Sequence, residues 1–196
     1  RDRLFAGRRR SDTALPALAM GVSRRRLDTA LQAAAEQAGA ALERGVQAAG
    51  IDDGTVRTRD GAALSASALF LGAGKHGFRG QPRDPAAWQQ RDPVMGLRLR
   101  LPQGAALDRL VGDAVELHLF DRGYAGLVRQ EDGSANLCLA THKSRLDEAG
   151  GDPETLLHAL AAAHPMLGER LAYADWSGPI DAIGHVPYGW RPPVTG

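Results

Sequence analysis

Between residues 97 and 141 the chain alternates. Arg98 and Arg100 separate Leu97, Leu99 and Leu101, and Glu116 and His118 separate Val115, Leu117 and Leu119. Successive side chains of a strand point to opposite faces, so this period of two predicts strands with one dry face, holding the leucines, and one wet face. Residues 124 to 130 and 135 to 141 flank Glu131-Asp132-Gly133, a turn that predicts a hairpin. Together these segments predict an antiparallel sheet of about four strands. Asp152-Pro153, a side-chain cap followed by proline at the first helical position, opens a predicted helix through Leu156, Leu157 and Leu160 to Ala163, which His164-Pro165 ends. A second short helix is expected over Met166 to Tyr173, and a returning strand over Ile180 to Val186.

Upstream the pattern differs. Arg1 to Gly21 reads as irregular and Arg-rich, and its Arg8-Arg9-Arg10 cluster reads as a solvated face. Ser23 is a candidate N-cap for a helix whose apolar positions are Leu27, Ala30, Leu31, Ala34, Ala35 and Ala38, stopped by Gly39. Its alanines suggest close packing on a sheet. A strand is expected over Ala41 to Val46, and a short one over Thr55 to Arg59 between turns at Asp52-Asp53-Gly54 and Asp60-Gly61. Ala68 to Leu71 reads as a buried strand that breaks at Gly72 and Gly74, a turn open to either a packing or a cofactor reading. Residues 83–93, with their prolines and Trp88, read as a linker.

Composition narrows the function. With 43% apolar residues and no apolar run near 18 residues, the chain carries no candidate membrane span. Its net charge of +1 does not predict a nucleic-acid partner. A single cysteine, Cys138, excludes an internal disulfide and a cysteine metal cage, and the charged N-terminus holds no apolar signal segment; the expected location is cytoplasmic. No Gly-x-Ser-x-Gly elbow is present, and His76, His118, His142, His158, His164 and His185 show no metal-ligand spacing. They read as ordinary surface or core histidines.

The order of these segments resembles the middle of the flavoprotein family that includes p-hydroxybenzoate hydroxylase and the geranylgeranyl reductases. Arg24-Arg25-Arg26-Leu27-Asp28 is similar to the family's Arg-x-x-(Phe/Leu)-Asp helix start beside FAD. Gly72-Ala73-Gly74-Lys75-His76 stands in the place of its Asp-Gly signature, with Ala73 where the Asp would be, and Gly77-Phe78-Arg79 is one residue tighter than the usual Ser-x-x-Arg ending. Gly123 to Leu137 is similar to the reductase segment that lines the substrate chamber; Tyr124 is kept, while Gly126, Val128 and Arg129 replace Trp, Phe and Pro, so a prenyl substrate is not implied. Ile183 to Tyr188 resembles the strand leading back to the FAD lobe.

The resemblance implies an α/β to α+β fold: a partial FAD-binding lobe plus an antiparallel substrate-domain sheet with flanking helices. The implied divisions are a substrate-side segment 1–21, a partial FAD-binding lobe 22–82, a linker 83–93, a substrate lobe 94–180 and a returning strand 181–196. It further implies an FAD-dependent monooxygenase or hydroxylase using NAD(P)H on an aromatic or polyketide-like small molecule. A flavin-dependent double-bond reductase and a non-catalytic module or inert fragment are the alternatives. Implied cofactor contacts are Arg24, the backbone near Ala48, and Gly72, Ala73 and Gly74; Tyr124 is the implied substrate contact. Because the family's FAD pyrophosphate turn and later Gly-Asp motif have no counterpart in the sequence, the chain is expected to be the core of a longer enzyme and to hold FAD weakly by itself.

Overall fold

A computed structural model describes residues 1–72, 74 and 91–184. The chain divides into two compact units, one formed by residues 1–26 and 90–196 and the other by residues 27–89.

The larger unit is built on a seven-stranded sheet. Its strands are β1 (Asp2–Ala6), β2 (Arg9–Thr13), β6 (Val94–Leu101), β7 (Val115–Phe120), β8 (Gly123–Arg129), β9 (Ala135–His142) and β10 (Asp181–Ile183). The spatial order is β10-β6-β9-β8-β7-β1-β2. Every pairing is antiparallel except that of β1 with β7, which is parallel. The expected antiparallel sheet of about four strands is present as β6 to β9, with β7, β8 and β9 adjacent in order and β6 returning to pair with β9. The segment expected to be irregular, Arg1 to Gly21, instead supplies a hairpin that extends the sheet to seven strands. Its short alternation, with Arg3 and Phe5 buried and Asp2, Leu4 and Ala6 exposed, is hidden in the sequence because an arginine takes an inward position and a leucine an outward one.

The sheet's inner face carries Met95, Leu97, Leu99, Leu101, Ala125, Leu127, Leu137 and Leu139, all buried. Against them pack Leu107 and Val111 of α2 (Ala105–Val111), Leu156, Leu157 and Leu160 of α4 (Pro153–Ala163), and Leu167 and Leu171 of α5 (Pro165–Leu171). α3 (Lys143–Glu148) follows β9 directly. The Asp152 carboxylate accepts from the Thr155 N–H at 2.8 Å and proline stands in the first turn, so α4 starts where capping chemistry places it.

Helix α1 spans Arg24–Gln37, with Ser23 and its first three residues belonging to the larger unit and the rest to the smaller. The Ser23 hydroxyl accepts from the Arg26 N–H at 3.2 Å, as a cap does, and also donates to Glu131 at 2.6 Å in the β8–β9 turn. No residue of α1 is buried, so the expected close packing of its alanine face on a sheet is not found. A stripe of alanines offers little apolar area to drive such packing. A three-stranded antiparallel sheet follows: β3 (Ala48–Asp52), β4 (Thr55–Thr58) and β5 (Ala63–Ser65). Positive φ at Asp53 and Gly54 makes the predicted tight turn between β3 and β4.

The first strand lies later than expected. Residues 41–46 are not a strand; pairing begins at Ala48, because register is set backward from the Asp53-Gly54 turn. The buried strand expected at Ala68 to Leu71 is likewise absent, and Leu69, Phe70 and Leu71 are exposed. An apolar run favours a strand only where a neighbouring strand pairs with it, and β4 is already flanked on both sides by β3 and β5. Among the described residues of this unit only Thr58 is buried.

Candidate functional site on the open face of the large sheet

The alternation of β7 resolves against expectation. Glu116 and His118 point into the core, at 0% and 3% exposure, while Leu117 and Leu119 stand outside at 39% and 42%. A period of two fixes that the leucines and the polar residues lie on opposite faces; it does not fix which face turns inward. Partners distant in sequence decide that. Glu116 accepts from Arg3 Nη1 at 2.7 Å, from Arg170 Nε at 2.9 Å and from Arg170 Nη2 at 3.0 Å, with His118 Nε2 at 3.3 Å. Phe5 stacks on the His118 ring at 4.4 Å, and the Arg170 guanidinium lies 4.9 Å from the centre of the Phe5 ring.

Burial alone would raise the Glu116 carboxyl. The hydrogen bonds from His118 and Arg170, the Arg170 charge and the bond from Arg3 reverse this and bring it from an ordinary 4.5 down to about 2. As Glu116 is then an acceptor only, His118 Nε2 must carry the shared proton. Burial also works against the Arg3 guanidinium, but its bonds to Glu116 and Asp12 hold its pKa above the ordinary value. This cluster ties β1, β7 and α5 together and leaves the leucines of β7 outside.

The outer face of the sheet is therefore apolar in its middle. Leu4, Leu117, Gly126 and Cys138 form one cross-strand row, and Ala6, Leu119, Tyr124 and Ala140 form the next. Leu4 and Tyr124 are about as exposed as the two β7 leucines, at 38% and 40%. Cys138 lies on this face, away from Leu137 and Leu139 as its alternation predicts, and accepts from Asn136 Nδ2 at 3.0 Å. Arg98 and Arg100 border it, paired with Asp181 and Asp132.

A shallow pocket of ≈ 310 Å³ opens at the end of this face, lined by Val94, Arg122, Gly123, Tyr124, Ala140, Thr141 and His142. His142 Nδ1 lies 3.0 Å from the Asp92 carbonyl oxygen. A carbonyl only accepts, so that nitrogen carries a proton, and Asp92 Oδ2 lies 3.3 Å from it as well. Ser144 stands nearby, but its hydroxyl donates to Asp92 Oδ2 at 2.8 Å and accepts from Arg122 Nη1 at 2.8 Å. A nucleophilic serine would need its hydroxyl bonded to the histidine, so this trio is structural and not a hydrolase triad. Backbone and side-chain hydrogen bonds from Ser144 lower the Asp92 carboxyl.

The residues expected to contact a cofactor fall in different places. Arg24 is exposed in the first turn of α1, and Ala48 is exposed at the start of β3. At Gly72 and Gly74 a side-chain β-carbon would meet nothing within 4 Å, and Gly74 has φ +75°, so close backbone approach of a ligand is sterically open at both. Ala73, Lys75, His76, Trp88 and residues 185–188 lie outside the described residues. Among the described residues no group of three or more His, Cys, Asp or Glu side chains could hold a metal ion, and no helix is long and apolar enough to cross a membrane. Sequence reasoning reached Tyr124 but missed Leu4, Leu117 and Leu119 as surface residues, because they looked like core. It also missed Arg3, Glu116 and Arg170, whose partners lie 54 to 113 residues apart.

No family model and no curated protein sequence matches this chain. Solved structures do. A flavoprotein/dehydrogenase from Cytophaga hutchinsonii is 15% identical, with a TM-score of 0.63, over 96% of this chain and 51% of its own. CmlS, a flavin-dependent halogenase, is 14% identical, with a TM-score of 0.69, over 93% of this chain and 36% of its own. HpxO from Klebsiella pneumoniae, solved with FAD, is 16% identical, with a TM-score of 0.51, over 83% of this chain and 46% of its own. The chain thus spans between about a third and a half of the length of these structures and shares their fold. That fold agrees with the α/β to α+β architecture expected from the sequence.

Proposed function

We propose that this chain is the core of an FAD-dependent oxidoreductase, a monooxygenase or hydroxylase that draws on NAD(P)H and acts on an aromatic or polyketide-like small molecule in the cytoplasm. One observation carries the reading: a likeness to flavoprotein structures that runs through almost the whole chain, in both of its units. The flavin, when bound, supplies the redox chemistry that protein side chains lack.

What this chain contributes is position and environment. The outer face of the large sheet, with Leu117, Leu119 and Tyr124, offers an apolar floor on which a substrate is held and from which water is displaced. Tyr124 adds a hydroxyl at the edge of that floor, and His142 lines the adjoining pocket. Arg24, the backbone near Ala48, and Gly72, Ala73 and Gly74 are the proposed cofactor contacts. An inert fragment or a binding module is the second reading, favoured by the scarcity of buried residues in the smaller unit.

Purification of the chain in the presence of FAD separates the two. Flavin absorbance retained near one equivalent removes the fragment reading, and an Arg24→Ala change is expected to reduce that retention. In the longer enzyme, NADPH consumption coupled to oxygen uptake is expected. Turnover that persists without oxygen would exclude a monooxygenase, and a longer enzyme that binds no FAD would remove the flavoprotein reading.

A further inference from the structure

The two edges of the seven-stranded sheet differ. At one, β10 is three residues long, too short to template another strand. At the other, all five residues of β2 pair with β1 without a bulge, every one of them is exposed, and no described strand lies on the far side. The strand holds no proline or glycine. Leu15, Ala19, Met20 and Gly21, which follow it, line a pocket with Val115 and Val128, so the chain turns back toward β7 and β8 and leaves the edge uncovered. The unpaired backbone groups of such an edge accept a further strand unless a bulge, a proline or repelling charge prevents it.

The charges of β2 decide which strand fits. Asp12 lies opposite Arg3 and Arg10 opposite Phe5, so Arg10 and Asp12 share the inner face, on the side of the helices, while Arg9, Ser11 and Thr13 share the outer face with Leu4. Arg10 Nε donates to Asp12 at 2.6 Å and Arg3 Nε donates to it at 3.0 Å; these bonds hold the Asp12 carboxyl below its ordinary value, so it is charged at neutral pH. A second copy laid antiparallel along the edge is related by a two-fold axis perpendicular to the sheet, which sets inner residues opposite inner ones and outer opposite outer. The axis therefore passes a residue of β2, never between two. Centring on Arg9, Arg10 or Asp12 brings like charges face to face, and centring on Thr13 pairs too little of the strand. Centring on Ser11 pairs all of it: Arg9 meets Thr13, Arg10 meets Asp12, and the two copies of Arg10 and Asp12 close into a square of alternating charge.

We propose that β2 is a self-pairing edge: a second copy of this chain adds to it antiparallel about Ser11, joining two seven-stranded sheets into one. The outer row of Leu117 and Leu4 then runs on through Ser11 into the second copy. A five-residue edge is a small contact, so the dimer is a weak one that forms at high chain concentration. The pairing draws on nothing in the flavin reading and stands or falls without it.

Sedimentation velocity of the 196-residue chain over about a hundredfold range of concentration is expected to show a monomer–dimer equilibrium. Arg10→Glu turns both Arg10–Asp12 contacts between copies into repulsions and is expected to weaken the dimer by about tenfold or more, with a melting curve alongside to show that the chain folds. Register is read by cross-linking in a Cys138→Ser background, which removes the native thiol. Ser11→Cys is expected to give a disulfide-linked dimer under mild oxidation, because residues at the two-fold centre have Cα atoms about 4.5–5.5 Å apart, within disulfide reach. Thr13→Cys is expected not to, because its two copies lie about 14 Å apart. A chain that stays monomeric across the range, a dimer undiminished by Arg10→Glu, or a dimer that Ser11→Cys does not cross-link would each overturn the proposal. So would cross-linking through Thr13→Cys as fast as through Ser11→Cys.

Discussion

Replacing Glu116 by glutamine removes one negative charge at nearly constant volume from a position with 0% exposure. A carboxyl held near 2 in the folded chain, against an ordinary value of 4.5, contributes roughly 3 kcal/mol of stability at neutral pH. Removing one member of a buried ion cluster independently predicts a loss of about 3–5 kcal/mol, because Arg3 and Arg170 then face each other's charge across a neutral amide. For a chain of this size that corresponds to a melting temperature lower by about 6–20 °C.

The pH dependence separates this account from simple packing loss. The folded pKa is depressed, so the stabilisation is complete above the unfolded value of 4.5 and drains away as pH falls toward about 2. Urea unfolding of both proteins should therefore differ by roughly 3 kcal/mol at pH 7, with the gap closing below pH 4.5. A gap under about 1 kcal/mol at pH 7, or one that stays constant down to the acid limit, would refute the reasoning.

Three other outcomes are expected. Gly123→Ala should destabilise by about 1–3 kcal/mol in urea titrations, since the new methyl group would press on the Ala140 carbonyl and the Phe120 ring; an unchanged midpoint would contradict the close packing of β8 on β9. Asp152→Ala should lower the melting temperature by a few degrees through loss of the α4 cap, while Asp152→Asn should not. Because its hydrogen bonds from Thr155 lower the Asp152 carboxyl, the difference between the Asp and Ala forms should shrink as pH falls through that lowered pKa. Cys138, exposed on the outer face, should react with an aromatic disulfide reagent in the folded chain; a thiol unreactive until unfolding would place it in the core instead.

The site was legible only in pieces. The β8–β9 hairpin and the Asp152 cap follow from neighbouring residues, and each stands where the sequence places it; Tyr124, named through the resemblance alone, lies on β8 of that hairpin. Leu117 and Leu119 were visible as strand residues but not as surface, because their orientation depends on Arg3 and Arg170 reaching Glu116. The run at Ala68 to Leu71 fails in the opposite way: its composition suits a buried strand, but no neighbouring strand pairs with it.

The sequence by itself determined whatever rests on interactions a few residues long: the period of β6 to β9, the turns at Asp53-Gly54 and Glu131 to Gly133, and the caps at Ser23 and Asp152. The tertiary structure alone decided which face of the sheet turns inward. It also decided that the N-terminal hairpin joins the sheet through a parallel pair. The physical reason is one of range: alternation and capping are local, whereas an ion cluster that turns β7 inside out is assembled from residues 3, 116, 118 and 170, which only the folded chain brings together.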